Sequence, residues 1–357
     1  MTKKKEVLPF HVLDVFLLFF PISLAAFYLK VSPLFTFLVT AAAIAGITHL
    51  MAESTTVIAE HVSTTISALI NATFGNAVEF LVAIFALQND LVELVKASIT
   101  GSIIINVLLL IGLSMVAGGL KYKEQKFNKE SAGLSSTMLI IAVVGLAMPS
   151  LYSMVVNKPQ PAMSYGVSIV LGITYLLSLV YTLGTHRHLF VVERQALDKE
   201  AGRWSLRTAV IVLLLAIVAA GFESDALVAS IKPLVGKMGL TETFMGLVFV
   251  ALLTNIPEHI SAMSFARRNN MTLSLEIGMS SALQIALFVV PVLVLVSSAL
   301  PGGTLDLVFS PFELAAVIVT AMIANYIGSD GVCHWVEGAQ LIAVYVLIAI
   351  AFYFLPR

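Results

Sequence analysis

Two stretches, Asn71-Ala-Thr-Phe-Gly-Asn-Ala-Val-Glu79 and Thr254-Asn-Ile-Pro-Glu258-His259, each place a carboxylate between long apolar segments. An ionised side chain near the bilayer centre costs about 2.5 to 3.5 kcal/mol on insertion scales unless a cation, a proton or polar partners compensate it. Acidic residues at such depth therefore mark ion or proton pathways by default. Glu79 and Glu258 predict a cation or proton site within a bundle of membrane-spanning helices.

The composition supports this interpretation and excludes several protein classes. Of the 357 residues, 59% are hydrophobic and 11% are charged, with a formal net charge of −1. These values exclude a soluble globular domain and a disordered chain. Nucleic acid is not an expected partner, because the chain has neither a basic excess nor a nucleic-acid motif. The single cysteine, Cys333, cannot form an intramolecular disulfide or a cysteine cluster for zinc. We predict an all-α polytopic membrane protein.

The apolar runs predict eleven transmembrane helices, since one span needs about 20 apolar residues. They cover approximately residues 11–29, 34–58, 63–87, 91–119, 131–149, 164–184, 206–226, 241–266, 271–299, 311–328 and 338–355. If the N-terminus is cytoplasmic, fourteen of the twenty Lys and Arg residues fall on the cytoplasmic side. This bias satisfies the positive-inside rule and places the C-terminus outside.

A polar, charged loop between the sixth and seventh spans divides the chain into two halves of five spans. Because five is odd, the second half enters the membrane from the opposite side, so the repeats are inverted. Inverted repeats in secondary transporters place the substrate site near the midplane at their interface. The predicted segments are 1–30 with the first span, 31–185 with the first repeat, 186–205 as a cytoplasmic linker, and 206–357 with the second repeat.

Polar residues occur at the same spacing in the two halves of the chain. Glu79 precedes Ser102 by 23 residues, and Glu258 precedes Ser281 by the same 23 residues. Chance similarity of apolar sequence would not preserve such spacing, so the sequence predicts that the two carboxylates occupy equivalent places in the repeats.

The first stretch forms a polar stripe on its helix. Positions four apart share a helical face, so Asn71, Gly75 and Glu79 line up, with Asn76 one turn from Glu79. Gly75 also permits close approach or a local break. A packing surface of small and polar residues would explain Gly75 and Asn76. It would not explain an ionisable Glu79, so we predict a functional site.

In the second stretch, Pro257 removes a backbone donor directly before Glu258 and cannot bond to the carbonyl of Leu253, which kinks or interrupts the helix. Carbonyl groups freed by such a break can face a cation where they line a cavity. The predicted spans carry Lys and Arg only near their ends, which favours a cation over an anion. Oxygen ligands suit hard cations such as Ca²⁺, whereas soft metals would recruit Cys, Met or His. The neighbouring His259 either relays a proton near neutral pH or is simply hydrogen-bonded.

Further polar residues fall into two groups. The fourth and ninth spans carry hydroxyl and amide side chains that support the site or hydrogen-bond between helices: Ser102, Asn106, Ser280, Ser281 and Gln284. The second and seventh spans carry acidic residues that are solvated helix ends or mark the inner and outer access routes: Glu53, Glu60, Glu223 and Asp225.

At these residues the chain resembles the calcium/cation proton exchanger family of the wider cation/calcium exchanger superfamily. Asn71 to Glu79 is similar to the family's first signature, and Glu258-His259 matches the end of its second. The resemblance covers spans two to eleven. It implies a ten-helix inverted-repeat core in which Glu79 and Glu258 are the calcium ligands and proton carriers. The implied supporting residues are Asn76, Asn255, Ser102, Asn106 and Gln284.

One departure from the family pattern keeps an alternative open. Thr254-Asn255-Ile256-Pro257 stands where Gly-Asn-Ala-Ala is expected, and the Pro-Glu pair resembles the sodium/calcium branch. We therefore expect a Ca²⁺/H⁺ antiporter working by alternating access, with a sodium-coupled calcium exchanger and a cation channel as alternatives. The sequence carries no enzyme motif and calls for no cofactor beyond Ca²⁺ as transported substrate. A prokaryotic plasma membrane is expected, and whether the chain forms a homo-oligomer is open.

Overall fold

The computed structural model describes residues 12–185, 204–301 and 304–356. The basic N-terminal residues and the predicted linker, apart from Trp204 and Ser205, lie outside the described residues. The membrane-spanning helices and half-helices are α1 (Leu13–Tyr28), α2 (Pro33–Ala59), α3a (Thr64–Phe74), α3b (Ala77–Gln88), α4 (Val92–Gly119), α5 (Lys129–Val156), α6 (Pro161–Thr185), α7 (Leu206–Met238), α8a (Glu242–Thr254), α8b (Ile256–Arg267), α9 (Met271–Ser297), α10 (Pro311–Gly328) and α11 (Trp335–Tyr353).

The helices confirm an all-α polytopic membrane protein. The described residues contain eight helices long and apolar enough to cross a membrane, and α8a with α8b forms a further span bent by 58°. The shorter α1 and the broken α3 make the arrangement consistent with the eleven predicted spans. Outside the helices, two short strands, β1 (Gln125–Lys126) and β2 (Val332–Cys333), pair antiparallel.

Two helices extend well beyond their predicted ends. The α5 helix continues through Pro149 to Val156, and α7 continues past Pro233 to Met238. Proline is tolerated inside transmembrane helices because neighbouring helices satisfy the freed backbone groups. As a consequence, Glu223 lies in the middle of α7, and its predicted position near the external end of that span is wrong.

The centre of the bundle is formed by α4, α8a and α9, whose backbones approach closely. A Cβ added at Gly101 of α4 would lie 2.6 Å from Leu247 Cα, and one added at Gly246 would lie 2.6 Å from the Leu94 carbonyl oxygen. Glycine at both positions therefore lets α4 and α8a touch along their backbones. Both α4 and α9 widen into π-helical turns, at Ile105–Leu110 and Ile285–Val289. Such turns are frequent at functional sites.

The α1 helix packs outside this centre, against α2 and α7. Its contact with α2 is close, since a Cβ at Gly46 would lie 2.8 Å from the Leu17 backbone nitrogen. The first helix therefore contacts one helix from each half of the chain.

Candidate functional site

Two transmembrane helices are broken, one in each half of the chain. At Asn76, between α3a and α3b, the backbone adopts φ −113° and ψ 22°, and at Asn255, between α8a and α8b, it adopts φ −102° and ψ 13°. Each asparagine side chain bonds the carbonyl four residues earlier. Asn76 Nδ2 donates to Ala72 O at 3.2 Å, and Asn255 Nδ2 donates to Ala251 O at 2.8 Å. The predicted pairing of these asparagines therefore has the same local geometry in both halves.

The two glutamates occupy the same position after each break. Glu79 and Glu258 are the third residues of α3b and α8b, within the first helical turn. A helix N-terminus carries partial positive charge and unpaired backbone N–H groups, which stabilise a carboxylate. The two carboxyl groups lie near enough to repel each other electrostatically. The structure thus brings together the pair on which the sequence prediction depends.

Asn255 is the centre of a buried polar network that crosses between the halves. Asn106 Nδ2 donates to Asn255 Oδ1 at 2.8 Å and to Ser281 Oγ at 2.8 Å. Asn255 Nδ2 lies 3.3 Å from Ser102 Oγ, and Ser281 Oγ lies 3.3 Å from Asn255 Oδ1. All four residues are buried. The network positions α8b against α4 and α9.

Asn76 makes the corresponding contact from the other half through a shorter chain of bonds. Its Nδ2 donates to Gln284 Oε1 at 2.7 Å, and Gln284 Nε2 donates to Ser280 Oγ at 3.1 Å. Ser280 is exposed, whereas Asn76 is buried. The predicted residues Gln284 and Ser280 therefore connect the first break to the surface of α9.

Thr254 joins the two networks, although no specific role for it follows from the sequence. Its hydroxyl lies within hydrogen-bonding reach of the Glu79 carboxyl and 3.2 Å from Asn255 Nδ2. A small cavity is lined by the polar residues Glu79, Ser98, Ser102 and Thr254, and otherwise by apolar residues. Gly75 occupies the equivalent place before Asn76, so no pattern shared by the two halves marks Thr254.

Some polar atoms at the site have no protein partner among the described residues. They include Glu258 Oε2, Asn106 Oδ1 and His259 Nε2, all buried. His259 Nδ1 lies 2.7 Å from the Asn255 carbonyl oxygen, so the ring is hydrogen-bonded as one of the two alternatives predicted. Unpaired buried oxygen atoms beside a carboxylate are suited to a hard cation. No group of three or more acidic, His or Cys side chains that could hold a metal ion occurs in the described ranges, so neutral oxygens would complete any ligand set.

Three further predicted residues shape the breaks. Pro257 is the second residue of α8b, where a missing backbone N–H leaves no hydrogen bond unmade. Gly75 lies directly against Asn71, and a Cβ on Gly75 would overlap the Asn71 carbonyl oxygen. The side chain of Asn71 is exposed on α3a rather than enclosed with Glu79.

The acidic residues predicted as helix ends or access routes lie in different surroundings. Glu60 is exposed at the end of α2, and Glu53 is half-buried with Oε1 3.7 Å from His49 Nε2. Asp225 is half-buried on α7. Glu223 is fully buried, which excludes a solvated helix end for this residue.

Comparisons with known proteins agree with this architecture. A family model described as "Sodium/calcium exchanger protein" matches residues 32–184 and again 208–354. The Ca(2+)/H(+) antiporter of Aphanothece halophytica is 39% identical over 362 residues, covering 95% of each chain. The Ca(2+)/H(+) antiporter ChaA of Bacillus subtilis is 40% identical over 294 residues, covering 81% of this chain and 84% of the other. The solved structure of native YfkE matches with a TM-score of 0.84 at 33% identity, covering 96% of this chain and 100% of that chain.

Proposed function

The chain belongs to the sodium/calcium exchanger protein family, and we propose that it exchanges Ca²⁺ for H⁺ across a membrane. The resemblance to calcium/cation proton exchangers, inferred from the sequence, is confirmed by the similar antiporters. The observation that carries the proposal is the pairing of Glu79 and Glu258. Each lies in the first turn of a half-helix, and the two carboxyl groups are close enough to interact electrostatically.

The chemistry of this pair favours competition between a divalent cation and protons. Two carboxylates close together in a desolvated site repel each other and cannot both stay ionised cheaply without a counter-charge. One Ca²⁺ between them removes the repulsion, and so does protonation. In either state the net charge of the site is close to zero. This lowers the free-energy cost of enclosing the site in low-dielectric surroundings while the protein changes conformation. Because Ca²⁺ and protons cannot occupy the two carboxyl groups at the same time, the transport of one is coupled to the transport of the other.

The half-helix ends supply the remaining ligands. Carbonyl groups at the C-terminal ends of α3a and α8a carry partial negative charge and face the break, as in other transporters with discontinuous helices. The unpaired Asn106 Oδ1 and Glu258 Oε2 add oxygen atoms within the same network. Ca²⁺ takes six to eight oxygen ligands in flexible geometry, which two glutamates with amide, hydroxyl and carbonyl oxygens can provide.

The protein acts in this proposal as a transporter and not as an enzyme, with Ca²⁺ as cargo and no cofactor. It spans a lipid bilayer, and a prokaryotic plasma membrane with a cytoplasmic N-terminus and an external C-terminus fits the distribution of basic residues. The proposal holds for a single chain and equally for each chain of a homo-oligomer.

The decisive experiment uses purified protein in calcium-loaded proteoliposomes with a pH gradient and no sodium. We expect Ca²⁺ movement driven by the gradient in the wild type. Glu79→Gln and Glu258→Gln should each reduce that movement to the level of calcium-loaded liposomes without protein. The reason is that an amide carries neither the charge nor the titratable proton. Glu124→Gln, a change at an exposed loop residue, is the matched control and should transport like the wild type.

The same preparation separates the alternatives. If Ca²⁺ flux appears only after sodium is added, the counter-ion is Na⁺ and not H⁺, and the chain is a sodium-coupled exchanger. Ca²⁺ current that persists without any opposing gradient would indicate a channel. Undiminished flux in both glutamine variants would remove the central pair from the mechanism.

A further inference from the structure

A second buried glutamate lies in α7, apart from the residues proposed to carry out exchange. Glu223 is fully buried. Its Oε1 is hydrogen-bonded to Ser23 Oγ of α1, and Thr40 of α2 adjoins the carboxyl group. Oε2 makes no hydrogen bond of ordinary geometry with any residue that the structure describes. Three helices thus meet at one carboxyl group that has no role in the exchange mechanism proposed for Glu79 and Glu258.

The two hydrogen bonds of Ser23 favour a protonated Glu223 carboxyl group. A serine hydroxyl has a single proton to donate. Ser23 Oγ lies 2.9 Å from the Phe20 carbonyl oxygen, which can only accept, and it is also bonded to Glu223 Oε1. When Ser23 donates to Phe20, its bond to Glu223 requires a proton on the carboxyl group. A protonated Glu223 therefore satisfies both bonds, whereas an ionised one satisfies only one.

Among the described residues, no Lys, Arg or His side chain interacts with the Glu223 carboxyl group. The charged or basic side chains of α1 and α2 that are closest along the chain to Ser23 and Thr40 are Asp14 and His49, which lie 3.8 Å from each other. They are nine residues from Ser23 and Thr40 respectively, about 13 Å along a helix axis at a rise of 1.5 Å per residue. A counter-ion at that distance does not replace the lost hydration of a buried carboxylate.

The other charged residues on these helices do not neutralise it either. Lys232 is nine residues further along α7, again about 13 Å away along the axis. Asp225 of α7, Glu53 of α2 and Glu79 of α3b are acidic and would oppose ionisation. The contact between the three helices therefore favours a neutral carboxyl group over a charged one.

We propose that Glu223 is a second proton-binding site of the chain and that its proton docks α1 onto α2 and α7. Removal of this proton leaves a buried, unpaired charge, so α1 separates from α7 and water reaches the carboxylate. The site lies between helices that belong to different halves, so its occupancy sets whether α1 bridges them. This proposal is independent of the exchange reaction and holds whatever ion the central pair carries.

Amide hydrogen exchange of α1, measured by mass spectrometry in liposomes across a pH series, tests the docking. After correction for intrinsic base catalysis, we expect α1 of the wild type to exchange about tenfold faster at strongly alkaline pH than at neutral pH. Glu223→Gln retains the shape and a hydrogen-bond donor but cannot ionise, so its α1 should stay protected throughout. Glu60→Gln removes an exposed carboxyl group at the end of α2 and should keep the wild-type response. Equal protection of α1 in the wild type and Glu223→Gln at every pH would overturn the proposal.

Infrared spectroscopy tests the proton itself, without reference to helix stability. The wild type should show a protonated carboxylic acid C=O band at neutral pH that is missing in Glu223→Gln. Ser23→Ala removes the acceptor of the Glu223 proton and should move this band to higher frequency. If the wild type and Glu223→Gln have identical spectra in this region, Glu223 is ionised and the proposal fails. A loss of α1 protection that survives in Glu223→Gln would also overturn the proposal, because the response would then come from another titratable group.

Discussion

The two broken helices reach the same backbone geometry from different sequences. The first break follows Gly75 and has no proline, whereas the second lies two residues before Pro257. In both, an asparagine with φ near −105° bonds the carbonyl four residues earlier, and a glutamate follows three positions later. The shared element is therefore the asparagine and not the helix breaker. An asparagine side chain can satisfy a terminal carbonyl that no backbone N–H reaches.

The surroundings of the two breaks differ more than their backbones. Asn255 is bonded to side chains from α4 and α9, while Asn76 has a single partner on another helix, Gln284. The half-helix α3a exposes Asn71, whereas Val250 at the equivalent place in α8a is buried. The second break is thus part of the packed centre, and the first is held by one cross-helix bond beside an open face.

The largest expected effect on stability comes from the asparagines. Asn255→Ala removes an acceptor from Asn106 and Ser281 and leaves the buried Ala251 carbonyl unpaired, so we expect a loss of about 3 kcal/mol in the free energy of unfolding. Asn76→Ala likewise leaves the buried Ala72 carbonyl unpaired but breaks only one bond to another helix, so it should cost about 2 kcal/mol. Denaturant titration in mixed micelles measures both. Equal losses would show that the two breaks are held with the same strength.

An intermediate effect is expected at Gly75. A Cβ there overlaps the Asn71 carbonyl oxygen, which is backbone and cannot rotate away. Gly75→Ala should therefore destabilise the protein by about 1 to 3 kcal/mol through a forced backbone shift. Gly133→Ala is the matched control, because a Cβ there meets no atom within 4 Å. A stabilised Gly75→Ala variant, measured by the same titration, would mean that α3a moves to make room.

A smaller effect is expected at Pro257. The proline occupies the second position of α8b, where the backbone N–H would have no helical partner. Because Asn255 maintains the break, Pro257→Ala should change the free energy of unfolding by less than about 1 kcal/mol and leave gradient-driven Ca²⁺ flux largely intact. Loss of Ca²⁺ flux with unchanged stability would instead show that Pro257, and not Asn255, maintains the helix break.

The sequence predicts the central pair and much of the helix arrangement, because both depend on local signals. Apolar run lengths give the spans, Pro257 marks the second break, and equal spacing pairs Glu79 with Glu258. What it does not predict depends on contacts between distant segments. Glu223 lies mid-helix because α7 continues past Pro233, and its partner Ser23 is 200 residues away in a helix outside the repeats. No local pattern marks that contact.

The last difference between the breaks, the open face of α3a, can be tested with introduced cysteines. The native Cys333 gives little background, since burial and the nearby Glu337 raise the pKa of its thiol to about 12 and leave it protonated at neutral pH. We expect Asn71→Cys to react with a hydrophilic maleimide at least about tenfold faster than Val250→Cys, because only the former is exposed and the thiolate needs water. The wild type is the control, and neither substitution should change stability as much as Gly75→Ala. If Asn71→Cys is as unreactive as Val250→Cys, α3a faces lipid or protein at that position, and the aqueous approach to Glu79 lies elsewhere.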